Sequence, residues 1–139
     1  MPITYRVDHD RRVVLAVAHG MLTMENLFTY QQELASLPGA TSYDELVDMT
    51  PVTHIEDSPG PRARDLASFA ASTDHPTLRS RFAIVAPSAL SFGLGRMYAS
   101  LRESDRRSTK EVGVFRTMEE ARAFLGLQEP LELPDWTAG

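Results

Sequence analysis

The chain has 139 residues, 42% of them hydrophobic, no cysteine, and a net charge of −5 with a sequence pI near 5.3. This suits one domain with its own core and is too apolar for a disordered chain. The missing cysteines exclude disulfides, thiol nucleophiles and Cys-ligated metals, and the acidic balance argues against broad binding to nucleic-acid phosphates or an anionic membrane.

Ile3, Tyr5 and Val7 alternate with Thr4, Arg6 and Asp8, the pattern of a strand with one buried face. A polar turn, Asp8-His9-Asp10-Arg11, leads into Val13-Val14-Leu15-Ala16-Val17-Ala18, a more fully buried strand, and predicts an antiparallel hairpin. That apolar run is the longest in the chain and far too short to span a bilayer. The opening Met-Pro-Ile-Thr-Tyr-Arg has no charged start followed by an apolar core, so a cytoplasmic location is expected.

Gly20 is expected to end the second strand, and Thr23 to cap a helix carrying Leu27, Tyr30, Leu34 and Leu37 at helical spacing, stopped by Pro38-Gly39. Leu46-Val47 marks a short strand ending near Asp48-Met49. A polar loop over 50–57 follows. Ser58-Pro59 reads as the N-cap and first residue of a second helix, with Ala63, Leu66, Ala67 and Ala70 on one face, small enough to lie close to a sheet. Arg81-Phe82-Ala83-Ile84-Val85-Ala86 reads as a buried central strand. Pro87-Ser88 opens a third helix with an apolar stripe of Leu90, Leu94, Met97 and Leu101. The charged segment 102–110 reads as a solvated connection whose Arg106, Arg107 and Lys110 form the best local basic patch. Val112, Val114 and Phe115 mark the last strand. Thr117-Met118-Glu119-Glu120 is a capping box for a final helix closed by Gly126.

This order predicts an α/β fold: a mixed, largely parallel sheet of about five strands with an N-terminal antiparallel hairpin and about four covering helices. Residues 1–126 form one domain and 127–139 a C-terminal tail, in which Trp136 is expected to lie on its own domain, to meet a neighbouring subunit, or to be loose.

The segment D-M-T-P-V-T-H-I-E-D-S-P-G over 48–60 resembles the STAS family, which includes anti-sigma-factor antagonists and sulphate-transporter tails. The pattern of that family there is roughly D-L-S-G-V-x-x-I-D-S-S-G. The initial hairpin, the strand at Phe82 and the ending V-G-V-F-R-T-M-E-E-A-R-A-F-L-G extend the likeness over nearly the whole chain. The combination looks most like the SpoIIAA-like, or STAS/SEC14-like, branch.

In signalling members a serine at the start of the second helix is phosphorylated by a partner kinase. Ungapped alignment places Ser58 there, with Pro59 where the family has glycine and Asp57 where it has its first serine. Thr50 and Thr53 are further candidates in the same loop. A helix N-terminus suits a phosphate, and Arg62 and Arg64 in or near the first turn make sense beside an anion, whether Glu56, Asp57 or a phosphate. With Asp48, these residues are the expected partner or anion contacts. The alternative reading is that Ser58 is only a cap and the arginines only a solvated face.

Phe92-Gly93-Leu94-Gly95-Arg96 follows a strand but lacks the third glycine of a dinucleotide fingerprint. Either its glycines let the helix approach a neighbour, or a gap there forms a ligand pocket lined by Phe92, Gly93, Arg96 and Tyr98. The histidines, His9, His19, His54 and His75, have no helical metal-ligand spacing. His54 with Glu56 and Asp57 could bind a metal, but ligands need a convergent set, and no metal site is expected.

The resemblance implies a regulatory or interaction module with a protein partner, of the kinase or anti-sigma-regulator kind. Its SEC14-like side implies instead a carrier or sensor of a small apolar ligand. No cofactor, nucleic acid or membrane insertion is expected. A homodimer is an expectation by analogy, and no catalytic constellation points to an enzyme.

Overall fold

The computed structural model describes residues 2–127 and 131–137; positions 1, 128–130 and 138–139 lie outside them, including those parts of the C-terminal tail. In chain order the elements are β1 (Ile3–Asp8), β2 (Val13–Ala18), β3 (Gly20–Leu22), α1 (Met24–Ser36), β4 (Asp44–Asp48), β5 (Val52–Ile55), α2 (Gly60–Thr73), β6 (Ser80–Val85), α3 (Ala89–Glu103), β7 (Lys110–Phe115) and α4 (Met118–Leu125).

β1 and β2 form the expected antiparallel hairpin, with Ile3 opposite Ala18. β4, β6 and β7 then add in parallel, giving a five-stranded sheet in the order β1-β2-β4-β6-β7. The alternation of side chains along each strand divides the core in two. Val14, Ala16, Val47, Phe82 and Ile84 face the layer of α1 to α3. Val13, Leu15, Leu46, Ala83 and Val85 face α4, with Leu131 and Leu133 of the tail packed against the same cluster. Because both faces are covered, β2 is buried at every residue, which is why its sequence shows no polar alternation.

α1 begins as expected. The Thr23 side chain accepts from Asn26 N at 3.1 Å and Asn26 Oδ1 accepts from Thr23 N at 3.2 Å, so two otherwise unsatisfied amides are held reciprocally. α4 begins at Thr117, whose hydroxyl oxygen accepts from Glu120 N, and ends at Gly126 with φ 70°, a left-handed value that glycine adopts freely.

Four expectations are corrected. β2 does end just before Gly20, but the chain does not pass straight into α1: Gly20, at φ 67°, opens β3, which pairs in parallel with β5, so the segment read as polar loop contains a strand. Its pattern hid it, because Val52 and Ile55 are half-buried while Thr53 and His54 between them are exposed, which breaks the period of two.

The α3 stripe is displaced. Its buried residues are Ser91, Gly95 and Arg102, while Leu90 is 64% exposed and Leu94, Met97 and Leu101 are half-buried. Gly95 explains this. A Cβ there would lie 2.9 Å from Val114 Cγ1, so α3 approaches β7 along the 91-95-102 line and the leucines fall to one side.

The charged connection is not wholly solvated: Arg102 and Lys110 are buried, so the 106-107-110 basic patch does not form. Finally, α2 lies between α1 and α3, but its small face does not close onto the sheet. Ala63 and Leu66 border a cavity of about 60 Å3 whose opposite wall includes Val47, Phe82 and Ile84.

Candidate functional site

The 48–60 segment is held by backbone and side-chain bonds at both ends. Asp48 Oδ1 accepts from Thr50 N at 3.0 Å and from its hydroxyl at 2.6 Å, so Asp48 and Thr50 close a turn on each other. Thr53 is exposed on β5 beside His54, whose Nδ1 lies 3.1 Å from the Thr53 hydroxyl. Glu56 N donates to Leu22 O at 3.1 Å, and Glu56 Oε1 accepts from Met24 N in the first turn of α1. A carboxylate there satisfies a free amide and complements the helix dipole, tying the loop to α1.

Ser58 does not cap α2. The cap position is Pro59, which offers no side-chain bond, and Pro61 occupies the first turn. Ser58 is exposed with φ 51°, in the left-handed region that disfavours a residue with a Cβ. Pro59 dictates this: it disfavours helical geometry at the residue before it, so α2 begins one residue later than the Ser-Pro pair implies. Since Pro61 has no N–H, only Gly60 and Arg62 present amides at the helix opening. Arg62 and Arg64 are exposed and form no ion pair among the described residues; Asp57 is exposed beside Ser58.

The loop faces α3, not α2. Ile55, Glu56, Asp57, Ser58 and Pro59 form one wall of a surface cleft of about 350 Å3, and Leu90, Gly93, Leu94 and Met97 form the other. The cleft thus has an apolar side, with Leu90 its most exposed large side chain, and a side bearing two carboxylates and a hydroxyl.

The expected ligand pocket is not one place. Gly93 lies in that surface cleft, Arg96 is exposed, and Phe92 carries the Arg116 guanidinium 4.3 Å from its ring centroid. Only Tyr98 reaches the interior cavity. Around it lies a polar network that the sequence reading missed. Arg102 Nη1 donates to the Tyr98 hydroxyl at 2.7 Å and Arg102 Nη2 to Asp74 Oδ2 at 2.5 Å, and Thr109 N donates to the same carboxylate oxygen at 2.9 Å. Glu45, 3% exposed on β4, also borders the cavity, and its Oε2 accepts from the Tyr30 hydroxyl at 2.6 Å. Lys110 Nζ donates to Ser80 Oγ at 2.9 Å and to Tyr43 O.

These surroundings shift the titrations. Burial, then the Glu45 carboxylate, holds the Tyr30 hydroxyl well above the ordinary tyrosine range. Burial raises Tyr98 to about 12 against the opposing pull of Arg102. Burial lowers Lys110, although Glu45 and Asp74 favour its charge. One signal was present in the sequence: a glutamate at an inward position of the strand Asp44-Glu45-Leu46-Val47-Asp48.

Trp136 lies on its own domain, its ring stacked on His19 with centroids 5.0 Å apart, and Arg6 Nε donates to Glu132 O at 2.8 Å. Among the described residues no three His, Asp or Glu side chains converge to hold a metal ion, and no helix is long and apolar enough to cross a membrane.

No protein-family model matches the chain, and no curated protein matches it in sequence. Among solved structures it is similar to a protein from Shewanella loihica PV-4, described as an uncharacterised member of the DUF3478 family with a SpoIIAA-like fold. The two share 17% identity at a TM-score of 0.56, over 88% of this chain and 91% of that one. At this identity the likeness is one of architecture: the chain has a SpoIIAA-like fold, as the hairpin, the parallel strand order and the flanking helices imply.

Proposed function

We propose that this chain is a non-enzymatic regulatory module of STAS type, working in the cytoplasm, that binds a protein partner through the cleft between the 55–59 loop and α3. The observation that carries this reading is the pairing of exposed Leu90 with exposed Ser58 across one concave surface. An apolar anchor beside a modifiable hydroxyl is what a switchable contact needs: the anchor supplies burial, and a phosphate adds about −1.5 to −2 charges where the partner must dock. With Glu56 and Asp57 already on that wall, phosphorylation of Ser58 would deepen a negative rim, repelling an acidic partner face and recruiting a basic one. Such a partner would be a kinase or an anti-sigma-type regulator.

The test is equilibrium binding to the partner captured from the host. Leu90→Asp is expected to weaken binding at least tenfold without loss of fold, and Ser58→Glu to change it in a salt-dependent way. Unchanged affinity in both variants would remove the reading.

A second reading, that of a carrier or sensor of a small ligand, is supported by the cavity beneath α2, bordered by Ala63, Leu66, Val47, Phe82, Tyr98 and Glu45. A small molecule retained through native purification from the host would support it, and a protein purified empty would count against it.

A further inference from the structure

The cavity wall is mainly apolar, with Tyr30, Gln31, Glu45 and Tyr98 as its polar members, and two of these, Glu45 and Tyr98, carry hydrogen-bonding capacity that no described residue uses. Glu45 accepts one hydrogen bond among the described residues, from Tyr30 to Oε2, and its Oε1 accepts none. The Tyr98 oxygen accepts from Arg102, and the Tyr98 hydroxyl proton has no acceptor among the described residues. A carboxylate on the cavity wall with acceptor capacity to spare favours a group that donates to it, an advantage that apolar packing alone lacks.

Charge narrows the choice. Among the described residues the buried charged side chains are two carboxylates, Glu45 and Asp74, and two cations, Arg102 and Lys110, which sum to zero. An ammonium entering the cavity would leave a buried positive charge uncompensated, and an anion a negative one. A neutral hydroxyl avoids both and can donate to Glu45 while accepting from Tyr98. Size narrows it further: a cavity of about 60 Å3 takes a molecule of only a few non-hydrogen atoms.

We propose that this cavity is a binding site for a small neutral hydroxyl-bearing molecule, its O–H given to Glu45 and its oxygen facing Tyr98. The proposal rests on the ligand reading above and names the ligand class. Affinity is expected near the millimolar range, because so few atoms set a low ceiling.

The test uses the full chain, labelled with nitrogen-15 and followed by amide shifts, with three probes of similar size: propan-1-ol, propylammonium and xenon. Saturable shifts are expected around Glu45, Tyr98 and Ala63 with propan-1-ol, and weaker binding of propylammonium. Tyr98→Phe is expected to weaken the alcohol about three- to tenfold while leaving xenon unchanged. Ala63→Leu, which fills the space without touching a charge, is expected to abolish both; Ala63→Val serves if the larger side chain unfolds the protein. Xenon binding without alcohol binding, or tighter binding of the ammonium, would overturn the hydroxyl assignment and keep a ligand cavity. Binding of no probe would overturn the cavity reading itself and mark the space as filled by water.

Discussion

Asp74 and Arg102 meet at 2.5 Å between Oδ2 and Nη2, with side chains only 1% and 2% exposed, and so pin the end of α2 to α3. Breaking one partner leaves the other charge buried and alone. Asp74→Asn or Arg102→Met is expected to lower stability by about 3–5 kcal/mol, read from urea unfolding. The double replacement Asp74→Leu with Arg102→Met is expected to be milder than either single change, because two apolar side chains leave no stranded charge.

At Ser58 the backbone decides the outcome. Since its side chain does not cap α2, Ser58→Ala is expected to change stability by less than about 0.5 kcal/mol, where loss of a cap gives about 0.5–2. Ser58→Gly relieves the left-handed strain at φ 51° and is expected to be neutral or stabilising by up to about 1 kcal/mol. Thermal melts of both variants check this.

Thr23 is the contrasting case, a hydroxyl whose bond to Asn26 N at 3.1 Å does cap a helix. Thr23→Ala is expected to lower stability by about 1 kcal/mol in the same melts.

Alkaline pH should unfold the protein through its buried phenols. Tyr98 stays protonated in the fold to about 12, against an ordinary value of 10.0, and Tyr30 is shifted in the same direction. The unfolded chain therefore releases these protons first, so the stabilisation is complete below about pH 10 and lost as pH rises toward 12. Lys110 has the opposite sign. Its lowered pKa makes its charge unfavourable in the fold, and that penalty fades as pH approaches its ordinary 10.5. Stability is thus expected to hold or rise slightly up to about pH 10 and then fall steeply, with tyrosinate absorbance from Tyr30 and Tyr98 appearing only with unfolding.

Where sequence and structure agree, a local signal had no competitor. The hairpin, the buried β2 and β6, the Thr23 cap and the Gly126 stop each follow from alternation or cap chemistry within a few residues. The misses are places where distant residues decide. β5 exists because β3 lies beside it, which no local period records. Leu90 looks like core on a helical wheel, but the close approach at Gly95 turns another face of α3 inward. Arg102 and Lys110 read as solvent charges until Asp74, Ser80 and Tyr43 are brought round them by the sheet order. The Ser58 loop was legible as a candidate, but its facing wall on α3, about 30 residues further along, was not.

The central claim is that the cleft joining Ser58 to Leu90 is a partner surface. Native mass spectrometry of the chain purified from its own host, alongside Leu90→Asp expressed at the same level, tests it most directly. The expected result is a hetero-complex of defined mass for the native chain, absent for Leu90→Asp, with any added phosphate mapping to Ser58. A bare, unmodified chain in both samples, or the same complex in both, would contradict it.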